Sequence, residues 1–323
     1  MRVRGSMKTY LLAALVAFGI SFLFLLVLIP VLRKIKFGQN ILSYVKEHKA
    51  KGGTPTMGGI AFVLAASITA VCFIQKAERN TLLTLVVGLS YMLVGVIDDL
   101  LKRAHKENLG LRAWQKLLFQ LLIALLCGIY CLRSGATVLH LPFTQKSVNI
   151  GWGILPLAIF VFVGTVNAVN LTDGLDGLAA STSIPFFLSL AILLHLQSGA
   201  GAMPTLCFCL VGALTAYLCF NLPPASVFMG DTGSLSLGGF AAAIATFSGN
   251  ALYILVLGAC FVFSVISVVL QVIYYKVTGG RRIFLMAPAH HHFQQKGYSE
   301  TRISYAYFTV TLLLGTICVI TAL

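Results

Sequence analysis

Apolar residues run along this chain in blocks separated by short polar breaks. The blocks fall near 10–31, 57–75, 81–99, 115–132, 154–171, 177–195, 203–220, 232–249, 251–275 and 303–322. A helix needs about 20 apolar residues to cross the hydrocarbon of a bilayer. Each block approaches or exceeds that length, so the pattern predicts about ten transmembrane helices. Several blocks contain Gly or Pro, which membrane helices tolerate better than soluble ones. Polar stretches are short, apart from those near 32–56, 133–153 and 276–302. The expected fold is therefore all-α: a polytopic integral membrane protein. Residues 1–6 read as a tag remnant ahead of a start at Met7, and 7–323 as one transmembrane catalytic domain. The first block is too long for a signal-peptide core and lacks a small-residue cleavage site, so it reads as a retained helix.

Composition excludes a water-soluble fold. The chain is 58% hydrophobic and only 10% charged, where an ordinary soluble domain is about 25% charged. All eight cysteines lie inside apolar blocks. A disulfide framework or zinc site would place some of them in polar turns, so they read as small buried hydrophobes.

Charge orients the chain. Loops after odd-numbered blocks hold 16 Lys and Arg and loops after even-numbered blocks hold 4, with three more at the N-terminus. The positive-inside rule then puts the odd loops in the cytoplasm and both termini outside. Eight of the nine acids fall on the same side as the basic loops, and only Glu78 falls opposite. Block centres are almost free of charge. A carrier would more often hold ionisable groups near the midplane, so the pattern favours chemistry at one membrane face.

Five strings carry candidate chemistry. Asp98, Asp99 and Lys102 close the third block. Paired carboxylates suit a hard divalent cation such as magnesium, which prefers oxygen ligands and substrate phosphates. Lys102 could meet a phosphate as a point charge. Asn167, Asn170, Asp173 and Asp176 recur every three residues, with Gly174 and Gly177 after the aspartates, a density that exceeds what a plain turn needs. Asp231, in FMGDTGS, could cap a helix or join Asp98 and Asp99 at a metal, while Phe228 could stack on a nucleobase. Three histidines, His290, His291 and His292, diverge by roughly 100° each if helical. They suit an anion site with Arg281 and Arg282 better than a single metal. The run from Lys51 to Gly59 has glycines and a lysine but lacks P-loop spacing.

Taken together, GTPTMGG at 53–59, DDLLK at 98–102, NAVNLTDGLDGLA at 167–179, FMGDTGS at 228–234 and APAHHHF at 287–293 closely resemble the phospho-MurNAc-pentapeptide transferase family. This family is a branch of the polyprenyl-phosphate N-acetylhexosamine-1-phosphate transferases. GTPTMGG and the triple histidine favour this branch over the GlcNAc-1-phosphate transferases. The resemblance implies transfer of phospho-MurNAc-pentapeptide from UDP-MurNAc-pentapeptide to undecaprenyl phosphate, giving lipid I and UMP. It implies Mg2+, a homodimer in membrane lipid, no nucleic-acid partner, and an active site at the cytoplasmic face of a bacterial membrane. It implies Asp98, Asp99 and Asp231 as catalytic carboxylates and metal ligands, with Lys102 on the diphosphate. Asn170, Asp173, Asp176, Asn221 and Phe228 would hold the nucleoside end. Lys51, Thr56, Gln271 and His291 would line the same cleft, His291 among the catalytic groups and His290 and His292 among the binding ones. The chain departs from the family pattern at Gln294, where an acid is usual, and at Leu285, where a lysine is usual. The alternatives are GlcNAc-1-phosphate transfer to the same lipid, or a lipid-linked sugar carrier without chemistry.

Overall fold

The computed structural model describes residues 6–35, 53–74, 78–105, 110–197 and 202–323. Its elements in chain order are α1 (Met7–Lys34), α2 (Gly59–Phe73), α3 (Arg79–His105), α4 (Ala113–Ser134), β1 (Val138–His140), β2 (Ser147–Asn149), α5 (Ile154–Thr172), α6 (Leu178–Leu196), α7 (Met203–Asn221), α8 (Gly230–Phe247), α9 (Ile254–Leu257), α10 (Ala259–Val277), α11 (Ala289–Gln295) and α12 (Glu300–Ile320). Among the described residues, eight helices are long and apolar enough to cross a membrane: α1, α3, α4, α5, α6, α7, α10 and α12. The fold is an all-α polytopic membrane protein.

Two expected spans fall short of that measure, for different reasons. Helix α2 has 15 residues, about 22 Å at 1.5 Å per residue, and residues 55–58 before it pair with the chain at Phe228 instead of extending the helix. Helix α8 has 18 residues and is too polar, yet every one of them except Asp231 is buried. Protein, not lipid, surrounds it. Hydroxyls are tolerable there once satisfied, and Ser236 donates to the Gly88 carbonyl at 2.8 Å. The expected span at 251–275 is also interrupted. A 3-10 turn and the four residues of α9 precede Gly258, and α10 begins at Ala259.

Helix α8 is the axis of the bundle, packed by α3, α5 and α2, while α1 lies on α7, α7 and α12 on α6, and α4 and α10 on α5. Close approach needs small residues, as membrane interfaces generally do. A Cβ on Gly95 would sit 2.5 Å from the Thr232 nitrogen, so only glycine lets the start of α8 lie against α3. Gly59 and Gly233 face each other across α2 and α8 in the same way.

The two ends of the bundle differ. One is tied mainly by side-chain amide and hydroxyl contacts: Gln197 and Asn250 exchange amide hydrogen bonds at 3.0 and 2.8 Å. There Tyr130 donates to Asn80, and the Arg79 guanidinium lies 5.0 Å above the Tyr130 ring. The unforeseen hairpin β1–β2 packs at this end, where His140 N–H donates to the Gly249 carbonyl at 2.8 Å. The other end gathers the charges.

Candidate active site

Helix ends build the charged end. Asp98, Asp99 and Lys102 lie on the last turns of α3, whose helix runs past the expected span end and so puts Asp98 and Lys102 on one face at i, i+4. Asp231 is the second residue of α8. Lys116 lies in the first turns of α4, and Asn170 near the end of α5.

Asp231 is the hub. Its Oδ2 accepts from Lys102 Nζ at 2.8 Å and from Lys116 Nζ at 2.7 Å. Its Oδ1 accepts from Asn170 Nδ2 at 2.8 Å, and the same amide donates to Ser234 Oγ at 2.8 Å. Lys116 also reaches Asn170 Oδ1 at 3.2 Å. Lys102 Nζ lies 2.7 Å from Asp98 Oδ2, and Asp98 Oδ1 accepts from the Leu111 N–H at 2.7 Å.

Asp99 sits differently. Its Oδ1 accepts from the Asp231 N–H at 3.2 Å, and its Oδ2 accepts from the Thr232 N–H at 3.0 Å and the Thr232 hydroxyl at 2.7 Å. Helix α8 has no cap from its own chain neighbours. The first N–H groups of a helix need acceptors and attract negative charge, and Asp99 supplies both from α3. Gly95, one turn earlier on the same face, makes room for this contact.

The three carboxylates each offer an oxygen within 4.8 Å of the others. Oxygen donors at this density fit a hard divalent cation. The ammonium of Lys102 stands between Asp98 and Asp231 as a monovalent stand-in for such a charge. Asp99 is turned to the start of α8, whereas Asp98 and Asp231 face the Lys102 ammonium that a metal cation could replace, so those two fit such an ion better.

Around this core the predicted residues divide into two groups. Thr56 is brought in: its buried hydroxyl finds no partner among the described residues and lies beside Gly230 and Asp99. Phe228 is half-buried, with its backbone paired to Pro55 and Gly58, so GTPTMGG and FMGDTGS form one physical unit. Asp173 caps α5 half-buried. Its carboxyl is pushed up to about 8 by burial first and then by the charges of Asp231, Asp99 and Asp176. Lys51 lies outside the described residues.

The remaining predicted groups hold loops. Asn221 accepts from the Gly177 N–H at 3.0 Å and donates to the Val227 carbonyl at 2.9 Å. Asp176 accepts from the Ala225 N–H at 3.0 Å. The Gln271 oxygen accepts from the Ile283 and Phe284 N–H groups at 3.1 and 3.0 Å, and its nitrogen donates to the Phe284 carbonyl at 3.1 Å.

The histidines start α11. His292 Nδ1 accepts from the Leu285 N–H at 3.1 Å, so this ring is neutral with its proton on Nε2. His290 is buried with both nitrogens unpartnered among the described residues. Burial, and then the neighbouring His291, push its pKa down to about 3. Arg281 and Arg282 are exposed, and Arg282 donates to the Leu285 carbonyl at 3.4 Å. Among the described residues, the cations drawn onto the carboxylate cluster are Lys102 and Lys116.

Lys116 is the main residue that sequence reasoning passed over, counting it only as a loop charge. A signal was present: Lys116 and Gln120 are four apart in an apolar block, and Gln120 pairs with Asn167 (2.6 Å from Asn167 Nδ2 to Gln120 Oε1) as Lys116 does with Asn170. Glu300, on the first turn of α12, was likewise unassigned. It accepts from the Asp176 N–H at 2.9 Å.

Fold and site together define the class: a polytopic membrane protein with a carboxylate–lysine cluster where helix ends converge. Comparison with known proteins narrows this. Residues 81–249 match the family model described as Glycosyl transferase family 4. The phospho-N-acetylmuramoyl-pentapeptide-transferase of Geobacillus sp. (strain WCH70) is 43% identical over 313 residues, covering 95% of this chain and 96% of that one. Its namesake in Geobacillus kaustophilus (strain HTA426) is 44% identical over 312 residues, covering 94% and 96%. A further namesake, in Clostridium botulinum (strain Eklund 17B / Type B), is 39% identical over 307 residues, covering 95% and 94%. The chain belongs to the phospho-N-acetylmuramoyl-pentapeptide-transferase family, and it is a transferase.

Proposed function

We propose that this chain transfers phospho-MurNAc-pentapeptide from UDP-MurNAc-pentapeptide to undecaprenyl phosphate, releasing UMP and forming lipid I. The reaction takes place at the cytoplasmic face of a bacterial membrane, with both termini outside. The observation that carries this reading is the convergence on Asp231 of Lys102, Lys116 and Asn170, beside Asp98. A reaction joining a lipid phosphate to a diphosphate crowds negative charge at one point. Fixed cations in a water-poor site offset it where it develops. Magnesium, when bound by Asp98 and Asp231, would polarise the phosphoryl oxygens and add to that offset.

The residues of the chain suggest how the step runs. A phosphate monoester has a second pKa near 6, so the lipid phosphate is largely dianionic at neutral pH and needs little base catalysis. Its oxygen attacks the β-phosphorus of the donor. The bond from that phosphorus to the bridging oxygen breaks, and UMP leaves with the electron pair. Asp98 orients the attacking phosphate and takes any remaining proton. Lys102 and Lys116 hold the diphosphate oxygens. Asp99 caps α8, and both its oxygens are engaged, which favours direct attack over a phospho-aspartate on that residue. Asn170 at the end of α5 and the turn at 173–177, with Thr56 and Phe228, receive the nucleoside end. A homodimer belongs to the same reading.

The deciding experiment is UMP release by purified protein with magnesium and undecaprenyl phosphate, given either UDP-MurNAc-pentapeptide or UDP-GlcNAc. Release with the peptide-bearing donor alone, lost on chelation, restored by magnesium and abolished in Asp231→Ala, is the expected result. Release with UDP-GlcNAc alone would assign the sister reaction, and no release with either donor from folded protein would refute catalysis.

A further inference from the structure

His291 is held by a relay that the transferase reading does not use. Its Nδ1 lies 3.0 Å from Gln294 Oε1, one turn later on α11. Distance alone does not say which ring nitrogen carries the proton, but Glu300 does. Gln294 Nε2 donates to Glu300 Oε1 at 3.3 Å, while Glu300 Oε2 accepts from the Asp176 N–H at 2.9 Å. Both oxygens of the carboxylate are thus acceptors, and the amide nitrogen must face them. The amide oxygen must then face the imidazole. An amide oxygen only accepts, so the proton of this contact belongs to His291 Nδ1. The orientation of one ring is set by a carboxylate two contacts away.

The other nitrogen points to the binding loop. A Cβ on Gly174 would meet His291 Nε2 at 3.0 Å, so this nitrogen lies against the turn between Asp173 and Asp176. The His290 ring lies beside His291 with centroids 4.4 Å apart and planes tilted by 58°, and its own Nε2 is nearer still to that Gly174 position.

We propose that Gln294 and Glu300 are positioning residues that fix a proton on His291 Nδ1, so that the neutral ring is the Nδ1–H tautomer with its Nε2 lone pair beside Gly174. In that state His291 accepts a hydrogen bond from an N–H or O–H of the substrate and does not ion-pair a phosphate. Glu300 also joins two strings that lie more than a hundred residues apart, since it holds the Asp176 backbone and, through Gln294, the histidine. The identity of the donor group rests on the transferase reading; the tautomer does not.

Two measurements on the full chain separate these claims. Protein carrying 15N-labelled histidine gives the state of each ring nitrogen, with the His291 signals assigned by their loss in His291→Gln. The expected spectrum at neutral pH has a protonated Nδ1 and a bare Nε2. Gln294→Leu removes the acceptor and should mix the two tautomers. It should also lower kcat by roughly 10- to 100-fold, taking the range for outer partners that orient metal-bound histidines as the guide. A protonated Nε2 in the wild-type protein overturns the proposal, as does a Gln294→Leu spectrum identical to wild type. If Gln294→Leu does not fold, the wild-type spectrum alone decides. UMP release is assayed on the same preparation: its absence alongside the expected tautomer would refute the transferase reading and leave the relay standing.

Discussion

Replacing Asp99 with Asn separates a capping role from a chemical one. The carboxylate now serves three donors, one on Oδ1 and two on Oδ2. Asn keeps a single oxygen. Turned toward Thr232, that oxygen retains two contacts, and its NH2 then faces the Asp231 N–H, donor against donor. A charge-assisted hydrogen bond contributes about 1.5–3 kcal/mol, and a buried donor left unpaired costs about 1–3 kcal/mol. The helix start also loses a compensating negative charge. The expected loss of stability is about 2–4 kcal/mol. For a chain of this size that is roughly 4–8 °C in Tm, at about 2 °C per kcal/mol. Asp98→Asn is the control. Its retained oxygen can still accept from the Leu111 N–H, and Lys102, which its NH2 would then face, keeps Asp231 as a partner, so it should lose less stability while losing turnover. Thermal unfolding in detergent, paired with UMP release, reads both effects. An Asp99→Asn protein that unfolds at the wild-type temperature yet has no turnover would refute the capping role. Labelled phosphate trapped on the wild-type protein without acceptor lipid would refute direct attack.

Three further outcomes are expected. Lys116→Met should lower kcat by about 100- to 1000-fold, the scale of losing one group that stabilises developing charge, with little change in expression or unfolding temperature; wild-type turnover would remove Lys116 from the site. Asp173 is held protonated in the folded protein up to about pH 8. A raised folded pKa contributes stability that is complete below the unfolded value, near 3.9, and is lost as pH rises through about 8. The Tm of wild type should therefore fall relative to Asp173→Asn between about pH 4 and pH 8, and a Tm difference independent of pH would contradict this. Gly95→Ala would place a methyl 2.5 Å from the Thr232 nitrogen, displacing the start of α8 from Asp99. Reduced turnover and lower thermal stability should appear together, whereas normal values for both would mean that α3 and α8 have slack at this point.

How much was legible beforehand follows from what each signal is made of. A bilayer imposes length and apolarity on each spanning segment separately, so the blocks of hydrophobic residues were readable one at a time. Charge placement is likewise a property of individual loops. The alternation it implied agrees with the gathering of α3, α5 and α7 ends with α4, α8 and α12 starts. Asp98, Asp99, Asp231 and Lys102 were visible as charges beside apolar blocks, because such groups are expensive there without a purpose. What each of them touches was not visible. Asp98 and Asp99 are neighbours of the same type, and only the approach of α8, permitted by Gly95, makes one a cap and leaves the other facing Lys102. Helix α8 was read as one more span, and its burial by three other helices is a fact of packing. Lys116 enters the site because α4 lies on α5 with Gln120 opposite Asn167, a register no local pattern encodes. The states of the histidines depend on partners at Leu285, Gln294 and Glu300, since a proton's position follows the acceptor it meets. The sequence by itself determined the solvent, the eight long apolar helices among the ten expected spans, and the charges available. Tertiary structure decided which charges meet, because that depends on helix contacts between residues far apart in the chain.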